Sequence, residues 1–335
     1  MAAPDNPNAA PHSGGSLPYL ALVAGMMCIA WSALFVRWTD IPGPASAFYR
    51  VLIAAVILLP TWFLPTRLLP ARFRKPPAQR ISRATLAIIA MGGVFFGMDL
   101  ALYNTSILQT SAANATLLGN NTPVFVGLIT WLVFRRRPAA AFWIGLAMAL
   151  SGTLIILWGD LARLARLGVG DAMALGASGC FAVYLIVTER VRSSTGTLAF
   201  LRVAIASSTI FLFVLNLAMG VSFVVPSGRT WAALLGLGLV SQLGGYLGLT
   251  YAMGHLPATA TSVSLLAQAP LTAVLAALLL GEPLAATQIF GGALVLGGIG
   301  LANRKTRPAE PPEYEANSEA SAAIAAAEAD AGEGA

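Results

Sequence analysis

The segment Ala47-Phe48-Tyr49-Arg50-Val51 recurs 152 residues later as Ala199-Phe200-Leu201-Arg202-Val203. Each copy places an arginine inside a long apolar run. Identical residues elsewhere pair with displacements of 152 or 147 residues: Cys28 with Cys180, Pro123 with Pro270, and Gly145 with Gly292. The chain is therefore an internal duplication in which a single loop differs in length between the two copies.

The composition excludes a water-soluble domain. Hydrophobic residues make up 57% of the chain and charged residues 10%, whereas a soluble domain carries roughly 25% charged residues. Apolar runs of roughly 18–23 residues are long enough to cross about 30 Å of hydrocarbon as helices. The short alternating segments of a β-barrel are not evident. The sequence therefore predicts an all-α polytopic membrane protein.

We predict ten transmembrane spans, numbered in chain order: about 18–36, 45–64, 85–108, 113–134, 140–159, 171–188, 196–217, 231–253, 258–280 and 284–302. Five spans form a first repeat over residues 18–159, and five form a second over residues 171–302. Residues 1–17 are polar, and residues 303–335 are acidic and Ala-rich. Segments of this composition have little to bury, so we expect disordered termini.

The distribution of basic residues predicts the orientation. Most of the 20 Lys and Arg residues lie in the loops after spans 2, 4 and 6 or directly after span 10. Because positively charged loops remain in the cytoplasm, both termini are expected to be cytoplasmic. The net charge of +6 thus reflects topology, and no nucleic-acid partner is expected.

An odd number of spans per repeat inverts the second copy relative to the first. Two such halves are related by a pseudo-two-fold axis in the membrane plane, with a site near the midplane and a gate towards each side. This arrangement favours a secondary transporter that works by alternating access. Duplication also persists as a packing solution alone, and that alternative stays open.

Local patterns in the two halves indicate a family. Residues 112–118 lead to Thr122-Pro123-Val124-Phe125, and residues 259–266 lead to Ala269-Pro270-Leu271 and then Gly281-Glu282-Pro283. With the five-plus-five layout, the chain resembles the EamA-type transporters of the drug/metabolite transporter (DMT) superfamily over about residues 18–303. The resemblance implies metabolite export across a bacterial inner membrane. The sequence departs from the family pattern at Arg135-Arg136, where such proteins often carry an acidic residue, so no acidic gate is expected there.

Polar side chains recur at helical spacing within spans 3, 4, 8 and 9. Polar groups in hydrocarbon usually face a cavity or a partner helix. We expect these residues to line a substrate cavity: Asp99, Tyr103, Asn114, Asn121, Gln242, Tyr246, Thr261 and Gln268. Trp31, Tyr184 and Tyr251 are aromatic candidates for stacking on a substrate. Interhelical hydrogen bonding and aromatic packing are the alternatives.

Asp99 is the only carboxylate well inside a predicted span. A carboxylate in a medium of low dielectric constant favours its protonated form unless a cation or hydrogen-bond donors stabilise it. Asp99 is therefore a candidate for carrying a coupling proton or for binding an ammonium group. A structural pairing, for example with an arginine, is the alternative.

Arg50, Arg202, Pro123 and Pro270 are candidates for gating or hinge motion. Each proline removes a backbone donor from the middle of a span, which a membrane helix tolerates beside a cavity or a neighbouring helix. The arginines are suited to anionic groups, but snorkelling of a long side chain to the headgroups accounts for them equally well.

No enzyme motif is present. The two histidines, His12 and His255, form no His-Glu-x-x-His zinc motif, and no Gly-x-Ser-x-Gly elbow or phosphate-binding glycine loop occurs. We therefore expect no catalytic residues, no metal and no cofactor. A small polar metabolite, such as an amino acid or an amine, is the expected substrate. A passive facilitator or channel of the same fold, a less plausible membrane enzyme, and a homodimer through the glycine-rich spans 5 and 10 remain alternatives.

Overall fold

The computed structural model of the chain describes residues 16–62, 81–110, 112–157, 168–192, 194–280 and 285–303. Regular structure within these ranges is helical, without strands. The termini that we expect to be disordered, most of the basic loop after span 2, and Glu282 lie outside the described residues.

The described helices reproduce the ten predicted spans. Seven are long and apolar enough to cross a membrane: Leu17–Arg37 (span 1), Gly43–Thr61 (span 2), Arg83–Gln109 (span 3), Val169–Arg192 (span 6), Thr197–Ala218 (span 7), Gly228–Ala252 (span 8) and Ala286–Asn303 (span 10). Span 5 is the shorter apolar helix Ala140–Ile156. Spans 4 and 9 each consist of two pieces, Ala112–Gly119 with Thr122–Leu132 and Ala258–Ser264 with Gln268–Leu280. The prediction of an all-α polytopic bundle is confirmed.

Helix starts follow local chemistry. The side chains of Ser82 and Ser227 accept hydrogen bonds from the backbone N–H groups of Thr85 and Thr230 at 3.0 and 3.2 Å. Such N-caps satisfy a donor that has no partner within the helix. Span 2 instead begins with proline in its first turn, where a missing N–H costs nothing.

Spans 5 and 10 pack backbone against backbone along their glycines. A Cβ atom built on Gly145 would lie 2.5 Å from the carbonyl oxygen of Gly298, and one on Gly152 would lie 2.5 Å from that of Gly291. Because side chains cannot approach so closely, only glycine permits this spacing, as at other membrane helix interfaces. These four glycines therefore join the last helices of the two repeats within one chain and act as a scaffold.

An aromatic cluster occupies the centre of the bundle. The ring of Phe96 lies 4.7 Å, centroid to centroid, from those of both Tyr184 and Tyr246. Phe181 stacks on Tyr184 at 5.9 Å. Offset and edge-on aromatic pairs at such distances stabilise packing beyond their buried area. The cluster therefore holds spans 3, 6 and 8 together beside the cavity described next.

Candidate functional site

A cavity of about 420 Å³ lies between the two repeats. Its volume falls within the range of about 300–1,000 Å³ that is typical of small-molecule sites. Its wall carries three charged side chains, Arg37, Arg50 and Asp99, among apolar residues and neutral polar groups. Because the wall draws on both halves of the chain, the cavity has the position expected for a site on the pseudo-two-fold axis.

Arg50 is held in a fixed orientation at the cavity wall. Its Nε donates to Oε1 of Gln242 at 2.8 Å, and its Nη1 donates to Oγ of Ser32 at 2.8 Å. Its guanidinium carbon lies 5.6 Å from the ring centroid of Tyr246, within cation–π range. The side chain is 2% exposed. Arg50 therefore points into the bundle from span 2, towards partners on spans 1 and 8, and does not snorkel.

Irregular helix geometry places both partners of Arg50. Span 1 is interrupted at Trp31, directly before Ser32. Span 8 changes to a π-helix over Leu237–Gly245, which contains Gln242. The wider π turn breaks the regular helical phase and is often found at functional sites. At Gly238, a Cβ atom would lie 2.5 Å from Cγ2 of Ile53, so this glycine allows spans 2 and 8 to approach.

Asp99 faces the same cavity from span 3, one turn before Tyr103. Among the described residues, no hydrogen bond or ion pair joins its carboxylate to another side chain. Asp99 and Arg50 nevertheless line the same cavity. The cavity therefore presents a carboxyl group and a guanidinium group that are not in direct contact.

The break in span 4 determines which of its polar residues line the cavity. Pro123 lies in the first turn of the second piece, and the carbonyl of Gly119, which would otherwise lack a partner, accepts from Oγ1 of Thr122 at 3.2 Å. Nδ2 of Asn121 donates to the carbonyls of Leu117 and Leu118 at 2.9 and 3.2 Å. Asn121 thus completes the helix end.

Neighbouring residues of span 4 reach the cavity in its place. Thr116, Gly119, Asn120 and Pro123 are all in its wall. Nδ2 of Asn120 is buried and has no hydrogen-bond partner among the described residues. The break therefore supplies a polar donor one position away from the predicted one.

Span 9 is interrupted in the corresponding place. A 3₁₀ turn, Leu265–Ala267, separates its two pieces, and Gln268 begins the second piece at the cavity wall. Pro270 instead lies towards span 10, 3.3 Å from the position of a Cβ atom on Gly292. Thr261 is fully buried and is not in the wall.

The structure brings together six of the sequence-derived candidates: Arg50, Asp99, Tyr103, Pro123, Tyr246 and Gln268. Gln242 lies behind them as the partner of Arg50. The others are placed elsewhere. Trp31 packs on Phe35, Tyr184 lies in the aromatic cluster, Tyr251 packs on His255, Asn114 is buried, and Arg202 binds Thr61 through Nε and Nη2 at 2.8–3.0 Å.

Sequence reasoning missed several wall residues, above all Arg37, Thr116, Asn120, Phe181, Ser262 and Gln288. Arg37 stands at the end of span 1, where an arginine resembles an ordinary interfacial residue. The duplication offered a signal. A displacement of 152 residues aligns Arg37 with Glu189, which is also charged and also lies at the end of the first helix of its repeat.

Comparison with known proteins agrees with this architecture. The model of the EamA-like transporter family matches residues 16–158 and again residues 168–304. The probable terminal-alkyne amino-acid exporter of Streptantibioticus cattleyicolor is 29% identical over 71% of this chain and 78% of its own. The threonine/homoserine exporter RhtA of Escherichia coli (strain K12) is 27% identical over 85% of this chain and 90% of its own.

A solved structure shares the fold. It aligns with a TM-score of 0.68 at 18% identity and covers 86% of this chain and 96% of its own. Two consecutive matches to one family model, in a helical bundle whose described part has seven helices long and apolar enough to cross a membrane, show that this multi-pass membrane protein belongs to the EamA-like transporter family.

Proposed function

We propose that this protein is a secondary transporter that exports an amino-acid-like zwitterion by alternating access. The observation that carries the proposal is the pair Arg50 and Asp99, a guanidinium and a carboxyl group that face one cavity without a direct contact. A free α-amino acid carries the complementary pair, a carboxylate and an ammonium group, on adjacent atoms.

Arg50 is suited to the carboxylate. A guanidinium presents donors in a rigid planar fork that matches a carboxylate, and charge-assisted bonds of this kind are stronger than neutral ones. Ser32 and Gln242 engage Nη1 and Nε. They fix the plane of the fork before substrate arrives, which lowers the entropic cost of binding.

Asp99 is suited to the ammonium group and to a proton. Its carboxylate has no competing donor among the described residues, so an ammonium group and a proton would bind the same oxygens in turn. Export coupled to proton entry follows from this competition, because protonation from one side would release the substrate there. Tyr103 and Asn120 supply neutral polar contacts nearby.

The named relatives support an amino acid as substrate, since two of them are named as exporters of amino acids. The basic loops support an orientation with both termini in the cytoplasm, and the relatives' bacterial sources support the inner membrane of a bacterium. The two family matches support repeats at about residues 18–159 and 171–302.

Counterflow in proteoliposomes tests the substrate class. Vesicles are loaded with one unlabelled amino acid at a time, and uptake of the labelled compound is followed. We expect amino acids to exchange, whereas the matching amine without a carboxylate and the matching acid without an ammonium group do not. Equal exchange of all three compounds would refute the zwitterion site. An imposed proton gradient that leaves net flux unchanged would instead indicate a passive facilitator.

A further inference from the structure

The wall of the cavity divides by chemistry between two sets of spans. All three of its charged side chains lie on spans 1, 2 and 3. Among the described residues, spans 4, 9 and 10 contribute uncharged groups, and these include hydroxyl and amide side chains. If Arg50 and Asp99 hold the two charged groups of an amino acid, the wall from spans 4, 9 and 10 is left to receive its side chain.

Several of these polar side chains already bind the backbone of their own helix. The hydroxyls of Thr122 and Ser262 donate to the carbonyls three residues earlier, at 3.2 and 3.0 Å. Oε1 of Gln288 accepts from the backbone N–H three residues before it, at 3.1 Å. A side chain that is engaged locally with the backbone is less available to a ligand.

The amides of Asn120 and Gln268 are different. Both residues are in the cavity wall, and neither side chain makes a hydrogen bond within the described part of the chain. Nδ2 of Asn120 is buried without a partner. An amide without partners lowers stability, and a buried polar group of this kind calls for an explanation. A bound molecule that supplies the missing partner would recover the lost free energy.

Each of the two amides stands at the interruption of its span. Asn120 directly follows Ala112–Gly119, the first piece of span 4. Gln268 begins the second piece of span 9, directly after the 3₁₀ turn Leu265–Ala267. A displacement of 147 residues aligns Gln268 with Asn121, the neighbour of Asn120. The two repeats therefore bring one amide each to the same wall from nearly equivalent places.

The chemistry of an amide defines what it can recognise. A side-chain amide offers donors on its nitrogen and an acceptor on its oxygen, so it matches a hydroxyl or a second amide. A site that is built to hydrogen-bond such a group strongly rejects an analogue that lacks it, because its own polar atoms are then left unpaired. An apolar pocket discriminates far less between the same two molecules.

We propose that Asn120 and Gln268 form a side-chain subsite that selects amino acids with a hydroxyl or a carboxamide over apolar amino acids of the same shape. The proposal rests on the proposed function, in which Arg50 and Asp99 hold the α-carboxylate and the ammonium group. Asn120 and Gln268 then determine which amino acids are transported.

Pairs of amino acids with nearly the same shape test the subsite by binding alone. The pairs are threonine with valine, asparagine with leucine, and glutamine with methionine. Dissociation constants for the purified protein are measured by isothermal titration calorimetry. Because both members of a pair carry the same α-groups, the ratio of their constants isolates the contribution of the side chain. In the pair that binds most tightly, we expect the polar member to bind roughly tenfold more tightly than the apolar one.

Three variants assign the preference to particular residues. Asn120→Leu and Gln268→Met remove one amide each at similar volume, and each should reduce the ratio, chiefly by weakening the polar member. Asn121→Leu is the matched control, since the same substitution one residue later removes an amide that donates to the carbonyls of its own helix. It should lower the melting temperature and leave the ratio unchanged. Gel filtration and thermal melting establish that each variant is folded.

Equal affinities within every pair would overturn the subsite and leave the amino-acid site in place. A preference that persists undiminished in both Asn120→Leu and Gln268→Met would also overturn it, because other groups would then read the side chain. If none of the six amino acids binds, the proposed function fails together with the subsite.

Discussion

Replacement of Gln242 by leucine tests whether the orientation of Arg50 controls substrate affinity. Leucine has a similar volume but offers no acceptor to Nε of Arg50, which now donates to Oε1 of Gln242 at 2.8 Å. Because Arg50 is 2% exposed, water cannot readily replace the lost acceptor. The guanidinium then keeps only the bond to Ser32 at 2.8 Å and the contact with the ring of Tyr246, so its plane is less firmly fixed.

The size of the effect follows from the charge on the donor. A hydrogen bond that involves a charged group is worth about 1.5–3 kcal/mol. Since about 1.4 kcal/mol corresponds to a factor of ten in affinity, Gln242→Leu should raise the KM of counterflow by roughly tenfold to a hundredfold. The maximal rate should change much less, because the substitution removes a contact that positions Arg50 in the binding site.

Two further variants make the result specific. Gln242→Glu keeps an acceptor but adds a negative charge beside Arg50, so it should weaken binding of a carboxylate even more strongly. Ser241→Ala removes a bond of 3.1 Å to the carbonyl of Cys28 from the same π-helix, away from Arg50, and should lower the melting temperature without raising KM. A Gln242→Leu protein with the KM of the unmodified chain would refute the positioning role.

Three other outcomes follow from the structure. Asp99→Asn should abolish the dependence of transport on an imposed proton gradient, and an unchanged gradient dependence would exclude Asp99 as the coupling site. Gly298→Val should lower the melting temperature markedly, because overpacking costs about 1–3 kcal/mol or more, whereas Gly300→Ala, with nothing within 4 Å of the added Cβ, should not. Arg202→Gln should leave KM unchanged in counterflow, since its donors bind Thr61 outside the cavity.

The overall fold was predictable because it depends on properties of whole segments, namely the length of the apolar runs and the register of the duplication. Ten apolar runs of sufficient length must cross the bilayer as helices, since each backbone polar group needs a partner within its own segment. The register of the duplication could be read from identical residues such as Pro123 and Pro270. Neither inference requires the direction of any single side chain.

The site was less predictable because it depends on where helices stop being regular. Asn114 and Asn121 fall on one face only if span 4 is a continuous helix. The break before Thr122 turns the chain, so that Asn120 lines the cavity while Asn121 caps its own helix. The π-helix of span 8 changes the phase in the same way around Gln242. A periodic pattern carries no information about either interruption.

The two copies of the arginine segment differ in function because their partners have diverged. Arg50 binds Ser32 of its own repeat and Gln242 of the other. The same register places Tyr184 and Phe95 at the corresponding positions. Phe95 has no acceptor, and Tyr184 lies in the aromatic cluster with Phe96. Arg202 therefore donates to Thr61, away from the cavity. An inverted repeat needs symmetry in its helices to exchange two access states, but a substrate with distinct ends needs asymmetry in the wall, and the different partners of Arg50 and Arg202 supply it.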